Sequence, residues 1–191
     1  MPRAVPRRMS HVVYRTYRYE EMIAWYQEVF GARVKSQGPA LAFLTFDDED
    51  HRFAFANLGV LKPGAPTQER TGLVGVDHVS YTLGSIADLF GNYEHLKAKG
   101  ILPYWCIHHG DTVSMYYADP DGNQMEFQVE TFEAQRLAPP DTTPRPKHSP
   151  GVEYDPDQWL SRLKAGAPDT ELLIRTVHEP VSPIRGQLAH G

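Results

Sequence analysis

The sequence predicts an α+β fold made of two copies of one βαβββ module, followed by an extended C-terminal tail. A strand motif occurs twice, as His11-Val12-x-Tyr14 and, 67 residues later, as His78-Val79-x-Tyr81. A stripe of apolar helix positions repeats at the same offset and pairs Tyr19 with Ile86, Met22 with Leu89, Ile23 with Phe90, Tyr26 with Tyr93 and Val29 with Leu96. Helix faces alone could coincide by chance, but a strand motif in the same register indicates an internal duplication.

Module one is predicted over about residues 9–60. Apolar side chains at helical spacing favour one helix, and Gly31 follows it at a usual position for a left-handed cap. The predicted elements are a strand at about Met9 to Tyr17, a helix at Tyr19 to Phe30, and strands at Arg33 to Ser36, Ala40 to Asp47 and His51 to Leu58. The following segment, Lys62 to Thr71, is rich in proline and glycine and is predicted to be a linker.

Module two is predicted over about residues 73–133 and repeats this order. The predicted elements are a strand at Gly75 to Leu83, a helix that starts at Ser85 and closes at Gly100, and strands at about Pro103 to His108, Val113 to Ala118 and Gln124 to Val129. In each module the helix covers one face of the sheet. We expect the two uncovered faces to pair into one cupped mixed sheet around a metal site, so that residues 1–136 form a single domain.

The tail, residues 137–191, differs in composition from the modules. Five prolines argue for an extended segment near its start: Pro139, Pro140, Pro144, Pro146 and Pro150. Asp155 to Lys164 is predicted to be a short helix with Pro156 at its first position. Trp159, Leu160 and Leu163 would anchor this helix on its own domain or on a neighbouring subunit, and we expect a homo-oligomer.

Composition excludes several classes of protein. Hydrophobic content of 41% and charged content of 23% are typical of ordinary globular proteins. A net charge of -5 without a basic patch gives no reason to expect a nucleic-acid partner. The single cysteine, Cys106, cannot form an internal disulfide, which fits a reducing compartment. We expect it to be a small buried residue. With no signal peptide or membrane-spanning segment, a soluble cytoplasmic protein is expected.

The hairpin Met115 to Val129 carries the most informative local pattern. Its turn, Asp119-Pro120-Asp121-Gly122, combines a proline that fixes φ with a glycine that accepts a left-handed backbone. On the second strand Glu126 and Gln128 share one face, and apolar residues occupy the other. Taken alone, the simpler explanation is a glutamate that faces water, as on many antiparallel sheets.

The duplication gives Glu126 two partners. His11 and His78 occupy equivalent places on the first strand of each module, and strand parity directs both toward the uncovered sheet faces. Two histidines and one carboxylate form a facial triad, which leaves coordination positions open and suits non-haem Fe(II). A hydrogen-bonded core cluster of the same three residues is the structural alternative.

At this point the chain resembles the vicinal oxygen chelate superfamily, and within it the small one-domain type I extradiol ring-cleaving dioxygenases. The family hallmark stands here as Ile107-x-His109, followed by Met115-Tyr116, Asp119-Pro120, Gly122 and Glu126. A second family element, a histidine that heads a strand, stands as Asp50-His51-Arg52-Phe53-Ala54-Phe55. The resemblance covers about residues 9–133 and extends to the style of the tail.

The resemblance implies a role for each matching residue. His11, His78 and Glu126 match the iron ligands, and His51 matches the histidine that moves protons near bound dioxygen. Tyr116 matches the tyrosine that hydrogen-bonds the catecholate, and His109 matches the histidine beside it, although the adjacent His108 leaves that assignment open by one residue. The family often has a His-His pair where this chain has Asp50-His51. The predicted pocket residues are Val13, Phe53, Phe55, Ser80 and His108, with Phe53 and Phe55 sharing strand parity with His51.

The predicted function is that of an Fe(II)-dependent extradiol dioxygenase, which opens a catechol ring beside its diol using O2. Mn(II) suits similar ligands and stays open, and the substrate could be 2,3-dihydroxybiphenyl-like or a simpler catechol. A glyoxalase-type lyase is the first alternative, but such enzymes take a fourth ligand from the last strand of module one. That strand, His51 to Asn57, offers no carboxylate. A non-enzymatic small-molecule binder is the second alternative.

Overall fold

A computed structural model of the chain describes residues 8–64, 75–131, 151–174, 182, 183 and 185. Within those residues it is an α+β protein. Its strands are β1 (Val12–Thr16), β2 (Arg33–Gln37), β3 (Leu41–Thr45), β4 (Phe53–Asn57), β5 (His78–Thr82), β6 (Trp105–His108), β7 (Thr112–Ala118), β8 (Gln124–Glu130) and β9 (Val152–Glu153). Its helices are α1 (Tyr19–Phe30), α2 (Leu58–Leu61), α3 (Ile86–Ala98), α4 (Pro156–Lys164) and α5 (Asp169–Leu173).

The two sheets have the same topology, which confirms the predicted α+β fold and its two βαβββ modules. The first sheet has the order β1-β4-β3-β2, and the second has the order β5-β8-β7-β6-β9. In each sheet the first strand of the module runs parallel to the last one, and the remaining neighbours are antiparallel. The chain folds into two compact units, each containing one sheet, and unit one also includes the turn Asp119–Gly122. The prediction that residues 1–136 form one domain stays a prediction.

Each sheet has one helix on one of its faces, and the repeat predicted which helix residues point inward. All ten residues of the five predicted pairs are buried: Tyr19, Met22, Ile23, Tyr26 and Val29 on α1, and Ile86, Leu89, Phe90, Tyr93 and Leu96 on α3. Gly31 has a φ of 60° at the end of α1, as its position predicts. Burial of these apolar stripes orients both helices on their sheets.

The turn before β8 has the predicted geometry. The Gly122 N–H donates to the Asp119 carbonyl at 2.9 Å, and Gly122 has a φ of 78°, which favours glycine. The Asp119 side chain accepts a hydrogen bond from the Asp121 N–H at 3.0 Å and another from the Tyr26 hydroxyl at 3.1 Å. These bonds fix the point at which β8 begins.

The described part of the tail belongs to unit two. β9 pairs antiparallel with β6 and extends the second sheet by one strand. Helix α4 begins after Asp155, whose side chain caps it, and Pro156 lies in its first turn, as predicted. Trp159 stacks on Tyr154, with ring centroids 4.1 Å apart, and lies 6.2 Å from the Phe90 ring on α3. The five tail prolines lie outside the described residues.

Element boundaries differ from the predictions at several ends. Most strands begin or end one to three residues inside the predicted limits, since element ends are the least regular part of a strand. The short helix α2 was not predicted. It begins where the Asn57 side chain accepts a hydrogen bond from the Gly59 N–H, a cap that the preceding strand pattern concealed. No helix in the described ranges is long and apolar enough to cross a membrane.

Candidate functional site

Glu126 lies at the centre of a polar cluster on β8. Strand alternation directs Met125 and Phe127 to the face covered by α3 and Glu126 to the opposite face. In register, Glu126 pairs with Ser80 on β5 and with Tyr116 on β7, and its side chain has hydrogen bonds to both. Only 5% of the residue is exposed. A carboxylate that is buried among hydrogen-bond donors is not a solvated surface acid.

The closest ionisable partner of Glu126 is His78 on β5. The His78 Nε2 atom lies 3.3 Å from Glu126 Oε2. Burial alone would raise the pKa of Glu126, but hydrogen bonds from His78, Ser114, Ser80 and Tyr116 outweigh it and lower that pKa to about 2. The hydrogen bond to Glu126 raises the pKa of His78 to about 9, against the effect of burial and with support from Asp77. The two side chains therefore form an ion pair in the protein alone.

A second set of contacts fixes the orientation of the His78 ring. Its Nδ1 atom lies 2.7 Å from the Oδ1 atom of Asp77, the preceding residue. Asp77 is itself restrained, because the Gln124 side-chain amide donates to its backbone carbonyl at 3.0 Å and reaches its Oδ2 at 3.4 Å. Tyr104 in turn donates to Gln124 Oε1 at 2.9 Å. With Nδ1 committed to a carboxylate, Nε2 is the ring atom that is left for a ligand on the Glu126 side.

This arrangement is the one that metal-binding histidines use. A ligating histidine usually donates its second ring N–H to a carboxylate or carbonyl, which sets the tautomer and the ring orientation. His78 and Glu126 present one nitrogen and one oxygen ligand close together on neighbouring strands, and Asp77 supplies the supporting carboxylate. The donor chemistry of this pair fits Fe(II) or another divalent first-row metal.

Tyr116 and His109 stand beside the pair. The His109 Nε2 atom lies 3.1 Å from the Tyr116 hydroxyl and 3.8 Å from Glu126 Oε1. Burial raises the pKa of Tyr116 well above its ordinary value, and the nearby negative charge of Glu126 adds to this effect. The phenol therefore keeps its proton and acts as a hydrogen-bond donor.

His108 differs from its neighbour in the face of the sheet it occupies. It pairs in register with Val113, on the face opposite Tyr116 and Glu126. Its Nδ1 atom accepts a hydrogen bond from the Gly110 N–H at 3.1 Å, and its Nε2 atom lies 3.2 Å from the Leu173 carbonyl in the tail. The structure thus places His108 against the tail rather than in a pocket with Glu126, and the histidine beside Tyr116 is His109.

In unit one, His11 and His51 form a stacked pair. Their ring centroids are 4.4 Å apart, and the Phe43 ring contacts His51 edge-on at 4.9 Å. His51 Nδ1 lies 2.8 Å from the Asp50 carboxylate, so this Asp-His pair repeats the Asp77-His78 arrangement. The Asp50 carboxylate therefore restrains the His51 ring through its Nδ1 atom.

The predicted pocket phenylalanines lie elsewhere. Phe53 and Phe55 are fully buried and contact the Tyr26 ring under helix α1, with centroids 4.7 and 4.8 Å from it. The prediction assumed that they share a sheet face with His51, but β4 begins only at Phe53, and a bend at Arg52 breaks the alternation. Val13, which pairs with Ala54, is half exposed on the opposite face of the first sheet.

Three residues of this site were not predicted to belong to it. Asp77 had a signal in the sequence, since it precedes His78 as Asp50 precedes His51. Ser114 had a weaker one, because it shares strand parity with Tyr116. Gln124 had none, as its role depends on which side chain lies next to it across the β5–β8 pair.

No group of three His, Cys, Asp or Glu side chains that could hold a metal ion is present in the part of the chain that the structure describes. His78 and Glu126 are together in unit two, and His11 belongs to unit one. The three-residue ligand set therefore stays a prediction. Cys106 is buried, which raises the pKa of its thiol to about 12, so it is a small inert core residue rather than a ligand or nucleophile.

Comparison with known proteins identifies the family. The sequence profile of the Glyoxalase/Bleomycin resistance protein/Dioxygenase superfamily matches residues 8–127. The chain belongs to this superfamily. Among its members, the chain is 39% identical to biphenyl-2,3-diol 1,2-dioxygenase 2 of Rhodococcus globerulus over 171 residues, which is 84% of each chain. It is 36% identical to biphenyl-2,3-diol 1,2-dioxygenase 3 of the same organism over 176 residues, or 88% of each chain.

The superfamily fold is also found in solved structures. The fosfomycin resistance protein FosX from Listeria monocytogenes superposes with a TM-score of 0.52 at 19% identity. The alignment covers 71% of this chain and all of FosX. At this identity the likeness shows the fold alone. The two dioxygenase relatives, which are 36–39% identical over 84–88% of the chain, carry more information about chemistry.

Proposed function

We propose that this protein is an Fe(II)-dependent extradiol dioxygenase, which cleaves the ring of a catechol next to its vicinal diol and incorporates O2. One observation carries the proposal. The chain that resembles two biphenyl-2,3-diol dioxygenases over 84–88% of its length also brings His78, Glu126, Tyr116 and His109 together in one hydrogen-bonded cluster. A 2,3-dihydroxybiphenyl or a simpler catechol is the proposed substrate.

The proposed metal ligands are His11, His78 and Glu126. His78 and Glu126 fit this role because their Nε2 and Oε2 atoms are 3.3 Å apart and because Asp77 holds the second nitrogen of the imidazole. His11 is proposed from its equivalence to His78 in the repeat. When bound, Fe(II) lowers the pKa of the coordinated diol and holds the catechol and O2 side by side. Mn(II) suits the same ligands.

Tyr116 and His109 are proposed to bind the catechol oxygen. The Tyr116 hydroxyl stays protonated, because burial and the charge of Glu126 raise its pKa, and it can therefore donate a hydrogen bond to a negatively charged oxygen. The Nε2 atom of His109 lies 3.1 Å from that hydroxyl and restrains its direction. Together they favour the ionised diol over the neutral one.

His51 is proposed to be the acid and base of the reaction. An imidazole ring can both accept and donate a proton, which suits the transfer of protons from the diol and to the reaction products. Asp50 bonds to Nδ1, and the His11 ring stacks on one face of His51, so the direction of the His51 Nε2 atom is restricted. The proton would therefore be taken up and released at Nε2.

The first test is metal loading. Protein purified anaerobically and supplied with Fe(II) should bind about one iron per chain, consume O2 and turn 2,3-dihydroxybiphenyl or catechol yellow. Glu126→Ala and His11→Ala should each lose bound iron, since one ligand of three is removed, while the protein stays folded. The measurement is metal analysis of the same samples used for oxygen uptake.

Glu130→Ala is the matched control, because Glu130 lies on the same strand and is exposed at its end. It should keep both iron and activity. Full iron occupancy in Glu126→Ala would remove Glu126 from the ligand set. A panel of catechols that gives no oxygen uptake with the iron-loaded protein would refute the proposed activity.

A further inference from the structure

Trp105 is a buried aromatic residue next to the cluster of His78, Glu126, Tyr116 and His109. It pairs in register with Tyr116, and the two ring centroids are 4.9 Å apart. The His109 ring meets Trp105 edge-on at 5.9 Å. Trp105, Ile107 and Tyr116 form one buried cluster on this face of the sheet. Trp105 therefore packs against both Tyr116 and His109.

The tail holds Trp105 from its other side. The indole N–H of Trp105 donates to the Ser182 hydroxyl oxygen at 3.0 Å, and only 5% of Ser182 is exposed. The Ser182 hydroxyl lies 2.7 Å from Glu153 Oε1, and the Ser182 N–H donates to the Gly151 carbonyl at 2.8 Å. Arg185 forms an ion pair with Glu153 at 2.6 Å. The indole N–H is thus bonded to a residue that is 77 positions away in the sequence.

β9 provides the scaffold for these contacts. Glu153 pairs with Ile107 in the antiparallel β6–β9 ladder, so its side chain lies on the same sheet face as Trp105 and Tyr116. Gly151 approaches β6 so closely that a Cβ atom built on it would lie 2.4 Å from the His108 carbonyl oxygen. This position, with a φ of 141°, admits glycine alone. The tail is therefore fitted to the strand that carries Trp105.

We propose that the C-terminal tail is a working part of the active site, in which Ser182 fixes the Trp105 indole and Trp105 positions Tyr116 and His109 for the catechol. Ser182 and Trp105 are positioning residues, and the inference rests on the proposed dioxygenase function. A buried tryptophan N–H usually has a hydrogen-bond partner, and this bond adds a directional restraint to the packing of the ring. When the N–H bond is lost, the Tyr116 hydroxyl is held less tightly at the substrate oxygen.

The test compares Ser182→Ala with Ser182→Thr and with Trp105→Phe, all in the full-length iron-loaded protein. Phenylalanine keeps an aromatic ring and removes the N–H donor, and threonine keeps the hydroxyl acceptor. Catechol affinity is measured by anaerobic calorimetry, and kcat and KM are measured by oxygen uptake. We expect Ser182→Ala and Trp105→Phe each to weaken catechol binding and to lower kcat/KM about fivefold, the effect of one neutral hydrogen bond. Ser182→Thr should restore both.

The double variant Ser182→Ala/Trp105→Phe gives the sharpest readout. If the two residues act through one hydrogen bond, the double variant is no worse than either single variant, and the effects are not additive. Arg162→Ala is the control, because it removes an exposed ion pair with Glu171 in the same tail, away from Trp105. It should leave affinity and kcat/KM unchanged.

Two outcomes overturn the inference while the proposed function stands. One is a Ser182→Ala protein with a lower melting temperature but with unchanged catechol affinity and kcat/KM. The other is a double variant whose losses multiply. If the unaltered iron-loaded protein neither binds nor cleaves any catechol, the proposed function and this inference both fail.

Discussion

At the scale of single residues, the same arrangement of an aspartate hydrogen-bonded to the next histidine occurs twice. Asp77 bonds Nδ1 of His78, and Asp50 bonds Nδ1 of His51. In each pair the aspartate directly precedes the histidine, which places a carboxylate beside the ring without any long-range contact. One pair holds a proposed metal ligand, and the other holds the proposed acid and base. The two aspartates should therefore affect different measurements when they are changed.

Asp77→Asn should weaken metal binding. The amide cannot replace the carboxylate as a charged partner of His78 Nδ1, and loss of such a partner typically costs about tenfold to a hundredfold in metal affinity. The measurement is competition for Fe(II) against a chelator of known affinity. Asp50→Asn is the matched control, since it makes the same change beside His51 and should leave metal affinity as it is. Equal metal affinity in both variants would contradict the assignment of Asp77.

At the scale of secondary-structure elements, two glycines have opposite roles. Gly122 is the last residue of the turn before β8, and its φ of 78° is in the left-handed region. Gly91 lies within helix α3, and a Cβ atom added there meets nothing within 4 Å. The left-handed backbone at Gly122 requires glycine. At Gly91, in contrast, glycine only lowers the stability of the helix.

Gly122→Ala should destabilise the protein by about 1–2 kcal/mol, the cost of a left-handed conformation for an L residue. Gly91→Ala should stabilise it by about 0.5–1 kcal/mol, because alanine loses less entropy in a helix. The free energy of unfolding from urea denaturation of the two variants measures both effects. A destabilised Gly91→Ala protein would contradict the open space seen around this position on α3.

Helix α4 shows how a short element depends on packing. Tyr93 and Lys97 on α3 bond Asp157 Oδ1 at 2.8 and 2.5 Å. The Trp159 ring stacks on Tyr154, and both rings lie 6.2 Å from Phe90. A nine-residue helix is marginal by itself, so these contacts with α3 stabilise it. Trp159 contacts Phe90 within the second unit, and the prediction that it anchors the tail on the domain stays a prediction.

At the scale of the whole molecule, the tail is an integral part of the fold. It adds strand β9 to the second sheet and packs α4 on α3, and it supplies Ser182 to Trp105. The tail therefore stabilises unit two as well as serving the site. Removal of its main apolar anchor should consequently reduce the stability of the protein.

Trp159→Ala should destabilise the protein by about 2–3 kcal/mol. This is less than the 3–5 kcal/mol typical of a fully buried tryptophan, because Trp159 is only partly buried. Thermal or chemical unfolding measures the change. Leu61→Ala is the control, since Leu61 on α2 is 46% exposed and should change stability by less than about 0.5 kcal/mol. Unaltered stability in Trp159→Ala would indicate a tail that does not pack in solution.

Local rules predicted much of the fold and of the site. The helix stripes at the 67-residue offset identified the buried faces of α1 and α3, and residue alternation on β8 separated Glu126 from Met125 and Phe127. These patterns are periodic and depend only on neighbours in the chain. The same alternation failed for Phe53 and Phe55, because it was extended across a bend at which the strand had not yet begun.

Other features needed contacts between distant residues. The sequence favoured His109 over His108 but left the choice open by one residue, and the pairing of β6 with β7 places His109 beside Tyr116 and His108 against the tail. The bond between Trp105 and Ser182 likewise depends on how the tail returns to the sheet. No periodicity connects such residues.

The sequence by itself determined the duplicated βαβββ order, the turn before β8 and the residue types suited to a metal, because each of these depends on local periodicity or on one residue's chemistry. Tertiary structure decided that Glu126 is buried in an ion pair with His78 rather than exposed to water, and that the tail backs the site through Trp105. Burial and hydrogen-bond partners belong to side chains that meet across strands, so the environment of a carboxylate is fixed only when the sheet is assembled.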